Sequence, residues 1–191
     1  MDIKREDINF LQDPNLISSE LIFDGNILQL YVNQLKLENG QIVDREILHH
    51  QPATAILAVT AEDKVLLVKQ YRPAVVEAIY EIPAGILDYL ADGTEDALTG
   101  AARELEEETG YQANKWERLA SFYVTPGYLN EEIILYFATD LVKVDNPLPQ
   151  DDDEDVTLYE FTRKEIRAMM ETGEIKDLKT LYALQHWLNL A

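Results

Sequence analysis

The sequence predicts an α/β protein, a mixed β-sheet enclosed by helices in an α/β/α sandwich and preceded by an antiparallel β subdomain. Three observations carry this expectation. Strand-like runs fill the first half, one helical segment interrupts them, more strands follow, and helices close the chain. Asn39-Gly40 sits between two alternating apolar runs, a strong hairpin signal. Thr94–Thr109 has apolar residues at helical spacing, Ala97, Leu98, Ala101, Ala102 and Leu105, with Gly110 placed to end the helix.

In chain order, residues 1–20 read as polar and irregular. Leu21 to Leu48 reads as antiparallel β, with Ile27–Leu37 and Gln41–Leu48 flanking the Asn-Gly turn. We take residues 1–48 as an N-terminal β subdomain and 49–191 as the main domain. Ala53–Val59 and Val65–Val68 are expected to pair around Glu62-Asp63, and the short Ala78–Ile82 leads into Pro83-Ala84-Gly85. After the helix come strands near Leu119–Val124 and Ile133–Thr139, parted by the Pro126-Gly127 turn. Leu141–Glu154 is a polar loop carrying the acidic run Asp151–Asp155, read as a solvated segment. Val156–Phe161 is a strand and Arg163–Glu171 a helix. A last helix, Lys176–Leu190, has apolar positions Leu178, Leu181, Leu184, Trp187 and Leu188.

The charge balance narrows the function classes. The chain has 16 Lys and Arg against 36 Asp and Glu, a net charge of −20, so no basic stripe exists to neutralise duplex DNA or RNA. No cysteine is present, which excludes disulfides and zinc-thiolate sites and fits a cytoplasmic protein. No run approaches the roughly 18 apolar residues of a membrane span, and Met1–Asp7 lacks the apolar core of a signal peptide. A polyanionic small substrate remains open if metal ions supply the positive charge.

The helix supplies the motive for a metal. Glu104, Glu107 and Glu108 are spaced i, i+3, i+4, so their carboxylates leave from one face and repel one another. A solvated face is the ordinary reading of a Glu run, but hard divalent cations with oxygen ligands are the usual reason to tolerate such crowding. Arg103 stands four residues before Glu107, close enough to orient the carboxylates. The full pattern is Glu95, seven residues, Arg103-Glu104-Leu105, one residue, Glu107-Glu108, one residue, Gly110 and Tyr111. It resembles the Nudix box of nucleoside-diphosphate-X hydrolases, and Glu81-Ile82-Pro83-Ala84-Gly85 resembles the strand and glycine turn that precede it. Nine residues separate Gly85 from Glu95 where the family has five, which we read as a four-residue insertion within Asp88–Asp92. Lengthening a surface turn is energetically mild.

The resemblance runs from about Phe23 to the C-terminus, and it implies the Nudix fold, a divalent metal and a diphosphate substrate. Pro126, 16 residues after Gly110, resembles the marker of the ADP-ribose pyrophosphatase branch. Pro126-Gly127-Tyr128-Leu129-Asn130-Glu131 resembles the loop carrying that branch's catalytic glutamate. Arg45-Glu46-Ile47, Gln70-Tyr71-Arg72 and Gly173-Glu174-Ile175 agree with the branch. The resemblance implies that Glu104, Glu107, Glu108 and the Ala84 carbonyl hold Mg²⁺, with Mn²⁺ able to substitute. A general base must then lie outside the metal shell; Glu131 is the candidate, and its neighbour Glu132 competes, since strand alternation turns the two to opposite sides. Arg45, Arg72, Glu81, Pro126 and Gly127 are assigned to substrate binding, the first across a homodimer interface.

Other features read blandly: His49 and His50 lack partners at metal spacing, Trp187 belongs to the core, and Trp116 to core or surface. The expected reaction is hydrolysis of ADP-ribose to AMP and ribose 5-phosphate. One rival is the same chemistry on another nucleoside diphosphate sugar, GDP-mannose included. A rival of another class is a non-catalytic sensor that binds ADP-ribose. Such regulators usually lose box glutamates and append a DNA-binding domain, whereas this chain keeps Arg103, Glu104, Glu107 and Glu108 and ends on the Lys176–Leu190 helix.

Overall fold

The computed structural model describes residues 8–90, 93–150 and 156–190, with only the backbone of Tyr89. The chain divides into two compact units: the described residues up to Pro52 together with Phe122–Glu132, and Ala53–Ser121 together with the described residues from Ile133 onward.

The first unit is a three-stranded antiparallel sheet, β1 (Leu16–Asp24), β2 (Leu28–Lys36) and β3 (Ile42–His50), in that order. Gly40 takes φ +83°, a conformation that glycine enters without strain, and its N–H donates to Leu37 O at 2.8 Å. The hairpin register then runs from Lys36↔Ile42 to Leu28↔His50. Alternation puts Tyr31 and Asn33 on the buried face, where the Phe10 ring meets Tyr31 edge-on at 5.4 Å. Leu16–Glu20, expected to be irregular, is instead the first half of β1. Register shifts between Leu16 and Ser18 and between Leu21 and Phe23 break the alternation that would have marked it as a strand. Residues 122–132 join this unit through Leu129, which bridges Leu48, and Leu48 N donates to Tyr128 O at 2.7 Å.

The second unit holds two main sheets. β4 (Ala53–Ala58) is buried along its whole length. It runs parallel to β11 (Glu132–Lys143) over Ile133↔Ala53 to Ala138↔Ala58, and antiparallel to β7 (Ala84–Ile86). β10 (Tyr111–Tyr123) lies outside β11. The other sheet is β12 (Thr157–Thr162), β5 (Lys64–Arg72) and β6 (Glu77–Glu81). The expected β4–β5 pair is therefore corrected: after one bridge, Val59↔Val65, the two strands part into different sheets. A strand apolar on both faces fits between layers, and chain proximity misstated its partner.

Helix α1 (Ala97–Thr109) begins three residues later than the period suggested. Asp96 is its N-cap, accepting Thr99 N at 3.1 Å, while Thr94 pairs with Tyr89 in the small ladder β8 (Tyr89–Leu90) and β9 (Gly93–Thr94). Gly110 ends it at φ +70°. α1 packs with Ile56, Leu66 and Ala138 through Ala101 and Leu105, while Leu98 is 39% exposed. α2 (Arg163–Thr172) opens on a capping box of Thr162 and Glu165, and α3 (Leu178–Asn189) on Asp177. Leu178 is 60% exposed, so the first turn of α3 faces inward through Thr180 instead. Trp187 is fully buried as expected, and Trp116 is half-buried, edge-on to Tyr136. No described helix is long and apolar enough to cross a membrane. Asp151–Asp155 lies outside the described residues.

Candidate active site

β4, β7 and α1 assemble the carboxylate site in the second unit. Ala84 and Gly85 pair with Ala55 and Thr54, which fixes the turn after Pro83 against the central strand. Pro83 O also accepts Ile56 N at 2.8 Å. Glu108 reaches this turn and accepts Ala84 N at 3.0 Å. The Glu104 carboxylate lies so near Gly85 that a Cβ there would run into it. Only glycine leaves that space. Glu104 and Glu108 are 6% and 4% exposed, so the α1 face turned toward the core is the one carrying carboxylates. Burying anions this deeply costs several kcal/mol each unless they are compensated.

Arg103 supplies part of the compensation. Its Nη1 donates to Glu104 at 2.7 Å and Glu107 at 2.8 Å, and its Nη2 to Glu95 at 3.1 Å. Burial works against the Arg103 charge, but the bond to Glu95, the field of Glu104 and the bond to Glu107 outweigh it and raise its pKa. The Glu95 N–H donates to Asp88 O at 2.7 Å and its carboxylate accepts Asp88 N at 3.3 Å. The longer loop is thus closed at its base before it reaches the helix. Among the described residues, no three acidic or histidine side chains converge on one point as metal ligands; Glu104 and Glu107 turn toward Arg103. The donor set nevertheless fits a hard cation: two buried carboxylates and one half-buried, one helical turn apart, beside a glycine that makes room for them.

Arg72 and Glu81, both assigned to substrate, meet each other. Arg72 donates to Glu81 through Nε at 2.6 Å and Nη2 at 3.0 Å, and Lys179 also pairs with Glu81. Burial pushes the Glu81 carboxyl up, yet the bonds from Arg72 and the charge of Lys179 more than offset this and hold it below the ordinary range. The stabilisation from this depressed carboxyl is present above its unfolded value and is lost as pH falls through its folded value.

The remaining candidates belong to the first unit. Pro126 and Gly127 line a cleft of about 340 Å³ with Phe10, Ile47, Tyr123 and Tyr128. Arg45 is exposed on β3, opposite Asn33, its Nη1 donating to Asp44 O at 2.9 Å. Glu131 lies 3.8 Å from His50 Nδ1, which also sits 2.7 Å from Gln51 O. Asn130, the residue before Glu131, accepts His50 N at 3.0 Å and meets the buried His49 ring. Burial lowers the His49 pKa, partly offset by Asn130. The two histidines, read blandly from sequence, therefore frame the Glu131 loop. Their signal is hidden because 81 residues separate His49 from Asn130.

The NUDIX domain family profile matches residues 49–184, nearly three quarters of the chain. The chain belongs to the Nudix family. An ADP-ribose pyrophosphatase of Bacillus subtilis is 41% identical over 170 residues, covering 89% of this chain and 90% of the relative. A methanol dehydrogenase activator of Bacillus methanolicus is 42% identical over 176 residues, covering 92% and 93%. The fold matches a crystal structure of an ADP compounds hydrolase with a TM-score of 0.78 at 20% identity, over 91% of this chain and 92% of that one. The α1 carboxylates and the Ala84-Gly85 turn, the segments whose sequence resembles the family's box and its approach, lie within this matched domain.

Proposed function

We propose that this Nudix chain hydrolyses the pyrophosphate of ADP-ribose to AMP and ribose 5-phosphate. The observation that carries the reading is the buried Glu104–Glu108 pair pressed onto the Ala84-Gly85 turn. Arg103 compensates part of this charge, and a divalent cation would offset the rest and the repulsion of a diphosphate; the ADP-ribose pyrophosphatase relative supports the substrate. Glu104, Glu107, Glu108 and the Ala84 carbonyl would hold Mg²⁺, with Mn²⁺ able to substitute. When bound, such an ion neutralises diphosphate oxygens and lowers the pKa of an attacking water.

The chain's own groups do the rest. Arg103 keeps the carboxylates from splaying apart through its bonds to Glu104 and Glu107. Arg72 grips the diphosphate with a planar donor set suited to it. Glu131 takes the proton from the water that attacks phosphorus; the bridging P–O bond breaks and its electron pair leaves with the departing phosphate. This role for Glu131 rests on the likeness of its loop to the family's. Incubation with Mg²⁺ and a panel of nucleoside diphosphate sugars should release AMP from ADP-ribose faster than GMP from GDP-mannose. Equal or reversed rates would move the proposal to the rival sugar nucleotide, and binding without any cleavage would support the sensor.

We further propose a homodimer in which Arg45 completes the partner's nucleotide pocket. β1 and its turns expose Ile17, Ile22, Phe23 and Ile27 at 49%, 51%, 55% and 63%, and the hairpin adds Ile42 at 58%, an apolar surface that a second copy would cover. Light scattering should give twice the chain mass at assay concentration. An active monomer would refute the dimer.

A further inference from the structure

The N-terminal end of α3 is tied to the strand that leads into the Ala84-Gly85 turn. Thr180 Oγ1 accepts Ile82 N at 2.9 Å and donates to Asp177 at 2.6 Å. One residue earlier in the strand, Glu81 is 3% exposed and takes charge from both sides. Arg72 bonds it through Nε and Nη2, and Lys179, whose side chain is 11% exposed, bonds its Oε2. Lys179 also lies 3.2 Å from Asp177, the residue that caps α3 by accepting Thr180 N at 2.9 Å. Lysine is rarely buried this far without a specific partner. Here it has two.

This arrangement fixes the orientation of Arg72. The fork from Arg72 keeps guanidinium and carboxylate coplanar, but the pair can still swing together about the carboxylate's last torsion, which has a broad, two-fold profile. Lys179, itself held by a helix cap, anchors Oε2 and so sets the plane of the Glu81 carboxylate. Arg72 lies along that plane by its Nε–Nη2 edge, which leaves Nη1 pointing away from the pair. Three residues after Glu81, Ala84 N donates to the Glu108 carboxylate at 3.0 Å, so the Arg72–Glu81 pair lies on the segment that leads into the carboxylate site.

We propose that Lys179 is a positioning residue for substrate binding: through Glu81 it holds the Arg72 guanidinium in the orientation that grips the diphosphate. The assignment rests on the reading of Arg72 as a phosphate-gripping group. Glu81 then acts on substrate through Arg72 rather than by touching it. A role in stability alone would lower Tm and leave binding to the folded protein unchanged.

The test is a double-mutant cycle read by calorimetry. The Kd of ADP-ribose is measured with metal chelated, so that no turnover occurs, on wild type, Lys179→Met, Lys179→Arg, Arg72→Ala and the Lys179→Met/Arg72→Ala pair. Lys179→Met should weaken binding about tenfold, the scale of losing a supporting partner. Lys179→Arg should recover most of that loss. In the Arg72→Ala background Lys179→Met should change Kd by less than about twofold, because the residue it acts through is gone. In Mg²⁺, steady-state kinetics should show the same loss in KM with kcat nearly unchanged, the mark of uniform binding. Full additivity of the two substitutions, or a lowered Tm with unchanged Kd, would overturn the proposal. If Arg72→Ala alone leaves Kd unchanged, the phosphate-grip reading of Arg72 falls and the proposal with it, an outcome separable from additivity. Should Lys179→Met fail to fold, Lys179→Gln keeps a donor to Glu81 without the charge. It should weaken binding severalfold only when Arg72 is present, and wild-type affinity would overturn the assignment.

Discussion

Replacing Glu108 with glutamine should remove most of the turnover and leave the protein folded. The glutamine oxygen can still accept the Ala84 N–H now bonded at 3.0 Å, and the amide fills the same space in a site that is 4% exposed. What disappears is a unit of negative charge from the site proposed to hold a cation. Losing a group that merely supports a metal ligand costs about 10–100-fold, so losing a ligand should cost more, and Glu107→Gln should behave alike. Stability gives a second readout with a definite sign. In chelator Glu108→Gln should melt no lower than wild type, because it relieves repulsion from Glu104 and Glu107 across a single helical turn, whereas Glu107→Gln also weakens its ion pair with Arg103 and should melt slightly lower. Mg²⁺ at about one hundred times its Kd should stabilise wild type by about 2.7 kcal/mol, a rise of roughly 5–10 °C for a domain of this size. The variants should lose that rise. Near-normal turnover in both at saturating Mg²⁺, or an undiminished Tm shift, would remove these residues from the metal site.

The parts of the fold legible in the sequence were those set by local chemistry. Asn39-Gly40 fixed a hairpin register, and the carboxylate spacing of α1 followed from the helical period alone. Parts decided by non-local packing were not legible. Leu98, apolar and in phase, is 39% exposed, while Glu104 and Glu108 are buried beneath the Ala84-Gly85 turn. No hydropathy rule places carboxylates inside and a leucine outside; the box pattern singled out the carboxylates but not their burial, and the period put Leu98 on the apolar face. β1 was shortened because its bulges disrupt the period of two. β4 and β5 follow one another in sequence, yet their partners β11 and β12 come some seventy or more residues later. Lys179 was invisible for a related reason. On an amphipathic helix a lysine reads as a solvated residue, and only the position of Glu81, 98 residues away, makes it a partner. In the candidate site, the groups sharing one short segment were legible and those meeting across the fold were not.

Glu131→Gln should lower kcat by about 10²–10⁴, the range for loss of a positioned general base, while the same change at Glu132 should be mild. The substitution keeps size and hydrogen bonding but removes the proton acceptor. It should not disturb the loop, which is held by its backbone and by Asn130: Val124 N donates to Glu131 O at 3.3 Å, Leu129 N to Thr125 O at 3.1 Å, and Asn130 N to Leu48 O at 3.2 Å. Glu132 differs in kind, since it opens β11 and its neighbour Ile133 is committed to pairing with Ala53. The Mg²⁺-induced Tm rise separates a base from a metal ligand. In Glu131→Gln that rise should persist while kcat falls. A defect in metal binding would abolish it. Substrate-induced loop closure is common among enzymes, so kinetics decide the matter. If Glu132→Gln abolishes turnover and Glu131→Gln stays active, the base lies one residue later, and the loop's likeness to the family has been aligned one position out of step.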